Sequence, residues 1–513
     1  MKLLGIDYFF IILYIIGTLG IGLYYKKVVS TSSDFFLGGK MMPFWAIAIS
    51  IVGTDIGAVN FVGLTGQAYR FGIVVANFDW IGSVPAMILA GLIFVPYYWK
   101  AGVYTIPEYL GRRYNIYMRV LAATIWLIYI AFTLGVILWA TGVLVQSMLG
   151  WPIYFTIILT VVVVGLYTIA GGLSAVIMTD FVQVIIMIIG AVAILILGFW
   201  EIGGVQALFD KINAMGPEFK HHLDLIVSQK ANTPYPWTGI LFGLTIVLAP
   251  AYYIGNQTII QRTLGAKDEW NAKASMIFGA FLKILIPILV VVPGLIAVVL
   301  LPNVADGDQI YGKLIKRLLP PGLTGLIFAA FLAALMSSIS SIVNSIATVW
   351  TKDIYELLLK KDAEDRHYLV VGRFVTGIIL VLAVLSAPFS KNFPGLYVYV
   401  QTINSFIQGP IFAVLILGIL FKKITPAGGL VGLISGIFMS GIMFFNKEAL
   451  FTIEEPFLYI SWWSFLGSLI VIILVSIFTK PKSVENLRGL VYGLVLEDSA
   501  VQNVLKDKLV DKE

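Results

Sequence analysis

The stretch "GTDIGAVNFVG", Gly53 to Gly63, lies inside one of the most apolar parts of the chain, yet it holds a carboxylate, Asp55, with glycines at 53 and 57. Glycine permits non-helical backbone angles and weakens a helix. A carboxylate facing lipid at the centre of a membrane helix costs about 2.5–3.5 kcal/mol on the insertion scale. Two helix-weakening residues around a charge therefore point to a break in a membrane helix whose freed backbone groups face protein, water or an ion.

The surroundings support a membrane setting. Of the 513 residues, 59% are hydrophobic and only 12% are charged, against about 25% charged in a soluble protein. Mean hydropathy is +0.95. The chain has no cysteine, which excludes a disulfide, a thiol nucleophile and a cysteine metal site. Of the three histidines, His221 and His222 fall in the longest polar stretch and His367 in a charged loop, without metal-ligand spacing. The net charge of +6 does not indicate nucleic acid, because the basic residues fall between apolar runs, as in a membrane protein. The first run, about 8–25, is followed by no small-residue cleavage site and is expected to be a retained helix.

About thirteen apolar runs are long enough to cross a bilayer: 7–25, 45–69, 73–99, 117–148, 152–170, 174–200, 236–262, 274–301, 321–350, 368–388, 395–420, 425–446 and 457–479. Lys26–Lys27, Arg112–Arg113 and Lys422–Lys423 bias the basic residues to one side, which places the N-terminus outside and the tail 480–513 in the cytoplasm. The cluster Lys313, Lys316 and Arg317 runs against that bias. The expected location is a plasma membrane or bacterial inner membrane.

Asp55, Asp79, Asp180 and Lys283 remain deep in apolar runs. An Asp–Lys pair holding two helices together is the plain alternative to a substrate or ion path. Span 236–262 has its own weak point from Pro250 to Gly255. Four complete spans separate it from 45–69, the interval expected of two five-helix halves in opposite orientation, and paired interrupted helices point to a transporter's central site. In "MSSISSIVNS", Ser337 and Ser341 share a helix face, flanked by Ser338 and Ser340. Such hydroxyls suit a hard cation such as sodium, although serines in membrane helices also bond to neighbouring backbone.

"FFLGGKMMPFWAIAIS", "YTIPEYLGRRY", "AGGLSAVIMTDFVQ", "IIQRTLGAK" and "AALMSSISSIVNSIATVWTKDIY" together resemble the sodium/solute symporter family, within it the sodium/glucose cotransporter branch, from about Phe35 to Thr425. The resemblance implies an all-α polytopic membrane protein with a LeuT-type five-plus-five inverted-repeat core. The expected division is an extra helix and inner loop at 1–42, repeats at 43–203 and 236–424 around an outer loop at 204–235, two further helices at 425–479, and the tail.

Carried over by resemblance, the main sodium site uses the carbonyls of Gly53, Ile56 and Ala334 with the hydroxyls of Ser337 and Ser338. A second sodium site falls on Ser337, Ser340, Ser341 and Asp180, so one or two sodium ions are implied. Asn60, Asp79, Tyr252, Tyr253, Asn256, Lys283 and Gln401 fall at solute-binding positions, with Asp55 beside them. Leu64, Phe78 and Tyr397 form an outer lid and Tyr252 the inner gate. Asp55 stands where the sugar carriers have asparagine and Asp79 where they have glutamate. Asp55 is therefore expected to contact solute, to pair with Lys283 or to strengthen cation binding.

The function expected is sodium-coupled symport of a small polar solute, a sugar or polyol first, across the lipid bilayer. An amino-acid or other organic-solute symporter, or a solute-gated sensor or ion leak, are the alternatives. No nucleophile–base pair, metal motif or phosphate loop suggests an enzyme. The sequence does not read the oligomeric state.

Overall fold

The computed structural model describes residues 4–494 apart from 26, 28, 58, 232, 321–323, 393–394 and 454. The last part of the expected tail, 495–513, lies outside the described residues. These residues form an all-helical protein with one isolated backbone bridge, Met42 to Ala266. The membrane segments are α1 (Gly5–Tyr25), α2 (Phe44–Asp55), α3 (Val59–Ala76), α4 (Phe78–Ala101), α5 (Ile116–Leu149), α6 (Ile153–Ile202), α7 (Gly239–Gly255), α8 (Gln257–Leu264), α9 (Glu269–Leu300), α10 (Thr324–Val349), α11 (Asp365–Ser386), α12 (Leu396–Leu420), α13 (Pro426–Phe445) and α14 (Phe457–Phe478).

Two pairs are single spans broken in the middle. α2 and α3 meet at 52°, α7 and α8 at 49°. The first break falls after Ile56, where the expected one lies. The second falls at Asn256, whose backbone is extended and whose side chain accepts from the Thr258 amide at 2.9 Å, capping α8. Pro250 does not make this break: it lies inside α7, whose backbone stays helical on both sides of it as far as Gly255. By length and apolarity, ten helices among the described residues qualify as spans, or up to twelve with the bent pairs. The expectation of about thirteen is not reached on that count. Run 152–170 is only the shorter arm of α6, which turns a corner at Gly172, where φ is +55°.

α10 is the most enclosed of the spans, packed against α6 and α1. α1, α11 and α14 expose much of their apolar surface outwards. The inward-facing ionisable residues thus sit on enclosed helices while the lipid-like rim stays apolar.

Candidate sodium and solute site

The end of α2 settles which backbone oxygens are free. The Val52 carbonyl accepts from the Ile56 amide at 2.9 Å, the Thr54 carbonyl from the Ser338 hydroxyl at 2.9 Å, and the Asp55 carbonyl from the Asn60 side-chain amide. The Gly57 carbonyl accepts from the Asn60 and Phe61 amides. Among the described residues, no hydrogen bond reaches the carbonyls of Gly53 or Ile56. These are the two main-chain oxygens of α2 expected to hold sodium. Opposite them on α10 stand Ser337 and Ser338, both buried, with Ala334 one turn earlier. The approach is tight: a Cβ at Gly57 would collide with the Ser338 hydroxyl.

Beside this point a cavity of about 150 Å³ opens between the two broken spans. Asp55, Asn60, Asp79, Lys283, Tyr252 and Tyr253 all lie on its wall, with Asn256 and Gln401. So do the expected outer lid residues Leu64, Phe78 and Tyr397. The Phe78 ring meets Tyr397 edge-on at 5.3 Å and Tyr235 at 5.7 Å. A Cβ at Gly63 would lie 2.7 Å from that of Tyr397, so the glycine lets α3 and α12 close over the cavity. The Leu64, Phe78 and Tyr397 side chains are all buried.

Lys283 is held between two carboxylates. Its ammonium contacts Asp55 Oδ2 and lies 2.5 Å from Asp79 Oδ1. The Tyr253 hydroxyl donates to Asp55 Oδ2 at 2.9 Å. With both acids ionised this cluster carries one net negative charge, and Lys283 is the only Lys or Arg on the described cavity wall. Sequence reasoning missed the polar ladder across from it. Tyr129 donates to Asn404 at 2.6 Å, as does Gln408 at 3.2 Å, and Asn404 donates to Gln401 at 3.0 Å. Its signal was present in the spacing of 401, 404 and 408, which share one helix face. Gln257, neighbour of Asn256, turns away to bond Ile106 and Tyr104.

A second ionic cluster lies under α2. Asp180 accepts from Ser337 and Ser50, both at 2.5 Å, and lies 3.5 Å from the Arg262 guanidinium. Arg262 also donates to Ser50 at 2.8 Å, to Thr54 at 2.7 Å, to Ser341 and to the Thr258 carbonyl. The Ser340 hydroxyl turns back to the Ser337 carbonyl at 3.1 Å. The four residues expected to bind a second sodium are thus neighbours, and a guanidinium already engages two of them. Arg262 is the buried ionic residue hardest to foresee: at the end of run 236–262 it reads as an inner loop charge, and only the bend at Asn256 brings it inside.

The family model described as the sodium:solute symporter family matches residues 35–436. The chain is 32% identical over 497 residues to a sodium/glucose cotransporter of Vibrio parahaemolyticus, covering 90% of this chain and 91% of that protein. It is 33% identical to mouse sodium/glucose cotransporter 4 over 93% of this chain and 76% of that one. Among solved structures, a sodium-coupled sialic acid symporter in a substrate-bound outward-open state aligns with a TM-score of 0.83 at 23% identity, over 93% of this chain and 99% of that chain. That likeness is one of fold, and it places the two broken spans in a LeuT-type core. On the family match and the relatives together, the chain is a multi-pass membrane protein that belongs to the sodium:solute symporter family.

Proposed function

We propose that this protein is a sodium-driven symporter of a neutral polyhydroxylated solute, a sugar or polyol, working by alternating access. The observation that carries the reading is that, among the described residues, the Gly53 and Ile56 carbonyls accept no hydrogen bond, while Gly53 and Gly57 pack against Ser337 and Ser338. A desolvated cation needs oxygen ligands of this kind at the unwound part of a broken helix. With the Ala334 carbonyl they complete the main sodium site. Sodium there ties α2 to α10 and favours the arrangement that receives solute from outside. Solute release and sodium release inward then free α2 to move.

The solute side follows from charge. Asp55 and Asp79 accept hydroxyl protons, Asn60, Asn256 and Gln401 offer amides, and the rings of Tyr252 and Tyr253 supply an apolar face. A carboxylate-bearing solute finds no unpaired cation on this wall, because Lys283 is already shared by two acids. This disfavours an amino acid, and the names of the curated relatives support a sugar-like solute. A second sodium would have to compete with Arg262 for Asp180 and Ser341. We therefore assign one sodium per cycle.

The repeats are assigned to 43–203 and 236–424, and the basic loops place the N-terminus outside a plasma or bacterial inner membrane. The test is uptake into proteoliposomes with an imposed sodium gradient, after a thermal-shift screen of sugars, polyols and amino acids with and without sodium. Stabilisation by a polyol only in sodium, with one sodium carried per solute, is the expected result. Uptake indifferent to the gradient, or unaffected by Ser337→Ala with Ser338→Ala, overturns the coupling. Sodium current without solute accumulation assigns the protein to a sensor or leak instead.

A further inference from the structure

The loop that leads into α7 reaches the lid from behind. Its described residues lie along the end of α3. There the Ile73 amide donates to the His222 carbonyl at 2.8 Å, and the Asn77 side-chain amide to the Leu225 carbonyl at 2.7 Å. His222 Nε2 lies 3.1 Å from the Tyr69 carbonyl. Gly72 permits this approach: its φ is +82°, and a Cβ there would lie 2.3 Å from the His222 backbone. The loop then folds back on itself, the Trp237 amide donating to the Val227 carbonyl at 2.9 Å, before α7 starts at Gly239.

Between these anchorages stands Tyr235, with none of its surface exposed. Its ring meets Phe71 edge-on at 5.6 Å, Phe78 at 5.7 Å and Phe457 of α14 at 6.2 Å. Its hydroxyl donates to Gln67 Oε1 at 2.8 Å. Leu64, Gln67 and Phe71 follow one another at three and four residues, along one face of α3. Tyr235 therefore engages two lid-bearing elements at once: α4 at Phe78 and, through Gln67, the face of α3 that carries Leu64. Among the described residues, Leu64 and Phe78 line the solute cavity and Tyr235 does not. A phenylalanine would fill the same space among the rings; what the tyrosine adds is a directed bond to α3.

We infer that Tyr235 is a positioning residue of the lid. It backs the Phe78 ring from the side away from the solute and ties it to the helix that carries Leu64, so that the lid opens and closes as one piece. The inference rests on the alternating-access reading above. Tyr235 lies off the cavity wall and is not one of the proposed sodium ligands, so it acts on how often the lid opens and not on what the cavity recognises.

The chain has no cysteine, so one introduced thiol reports lid opening without any knowledge of the solute. Ala249→Cys puts that thiol on the cavity wall. The probe is a membrane-impermeant methanethiosulfonate with a quaternary ammonium group, added to intact cells that express the full chain. Tyr235→Leu should speed modification about tenfold, because the rate follows the population of the open lid. In a Phe78→Ala background the same change should add at most about twofold, since the ring that Tyr235 holds is gone, whereas a general loss of packing would act in both backgrounds. No gain from Tyr235→Leu, or a larger gain in the Phe78→Ala background, overturns the inference. If Tyr235→Leu does not fold, Tyr235→Phe is read instead: a gain of about threefold, from loss of the bond to Gln67, supports the inference, and no gain overturns it. Failure of the transport reading looks different. Sodium then leaves the reporter's rate unchanged even with Tyr235 in place, whereas the inference alone fails on a rate that responds to sodium and ignores Tyr235.

Discussion

Two buried ionic clusters lie on either side of the α2 break, and their difference separates the proposed solute site from a joint between helices. In the first, Lys283 is shared by Asp55 and Asp79, and with both acids ionised the group presents one surplus negative charge to the cavity. In the second, Asp180 and Arg262 are matched one to one, shut away from water, and wrapped by Ser50, Thr54, Ser337 and Ser341. Carboxylate and cation appear in both. What differs is charge balance and access. An unbalanced, accessible cluster can exchange its partners for a solute or an ion; a balanced, sealed one holds helices together.

The sharpest way to break this comparison is Arg262→Ala. It leaves Asp180 charged and unpaired, which costs about 3–5 kcal/mol in a buried pair. The unfolding temperature of the detergent-purified protein should fall accordingly, and Asp180→Asn combined with Arg262→Gln should recover most of the loss. A small effect of Arg262→Ala would show that Asp180 is free to take an ion, which would restore the second sodium site.

Asp308, between α9 and α10, calibrates the comparison as a half-buried acid with no ion pair among the described residues. It accepts from the Leu396 amide at the start of α12 at 3.0 Å, with Asp306 and Arg70 nearby. Burial pushes its carboxyl up to about 6, and Asp306 adds to this, while the Leu396 amide and Arg70 oppose it. The folded chain therefore holds this proton more tightly than the unfolded chain. Its contribution to stability is complete below the ordinary carboxylate range near pH 4 and is lost as pH rises through about 6. Asp308→Asn mimics the protonated acid, so its unfolding temperature should draw ahead of wild type between those values, by about 2–3 kcal/mol of stability at most. A constant offset from pH 4 to 8, measured by thermal unfolding, would contradict it.

Asp55→Asn tests the open cluster. Lys283 keeps Asp79, the surplus charge disappears, and stability should change little. The sodium concentration for half-maximal uptake should rise about tenfold, since one charge near the Gly53 and Ile56 carbonyls contributes about 1–3 kcal/mol at the effective dielectric of such sites. If sodium dependence and solute choice both survive, Asp55 is a structural partner and the two clusters differ less than their geometry implies.

Much of this was legible in the chain. Run lengths indicated the spans, and Gly53–Gly57 marked the first break because two glycines around a carboxylate weaken a membrane helix and tie it to a polar interior at one point. The Asp55–Lys283 pairing was already one of the open alternatives. The second break lies a few residues beyond the proline that signals it, since Asn256 breaks the helix through extended backbone and a cap that look unremarkable in sequence. Arg262 was invisible as a core residue because charge at a span end reads as loop. Only three-dimensional bending tells a guanidinium that snorkels outward from one that turns in.

The smallest effect expected is at the lid, which lies over the open cluster and not over the sealed one. Phe78 joins the Tyr397 and Tyr235 rings edge to face, and such pairs contribute about 0.5–1.5 kcal/mol beyond area burial. Phe78→Ala removes both contacts above the cavity while leaving the carboxylates, Lys283 and the serines in place. The solute concentration for half-maximal uptake should therefore rise about three- to tenfold, with sodium-induced stabilisation retained, because none of the proposed sodium ligands belongs to the lid. Phe78→Tyr, which keeps the ring, should stay close to wild type. A loss of sodium stabilisation in Phe78→Ala would mean that lid and ion site move as one body, and the distinction between an accessible cluster and a sealed joint would have to include the outer gate.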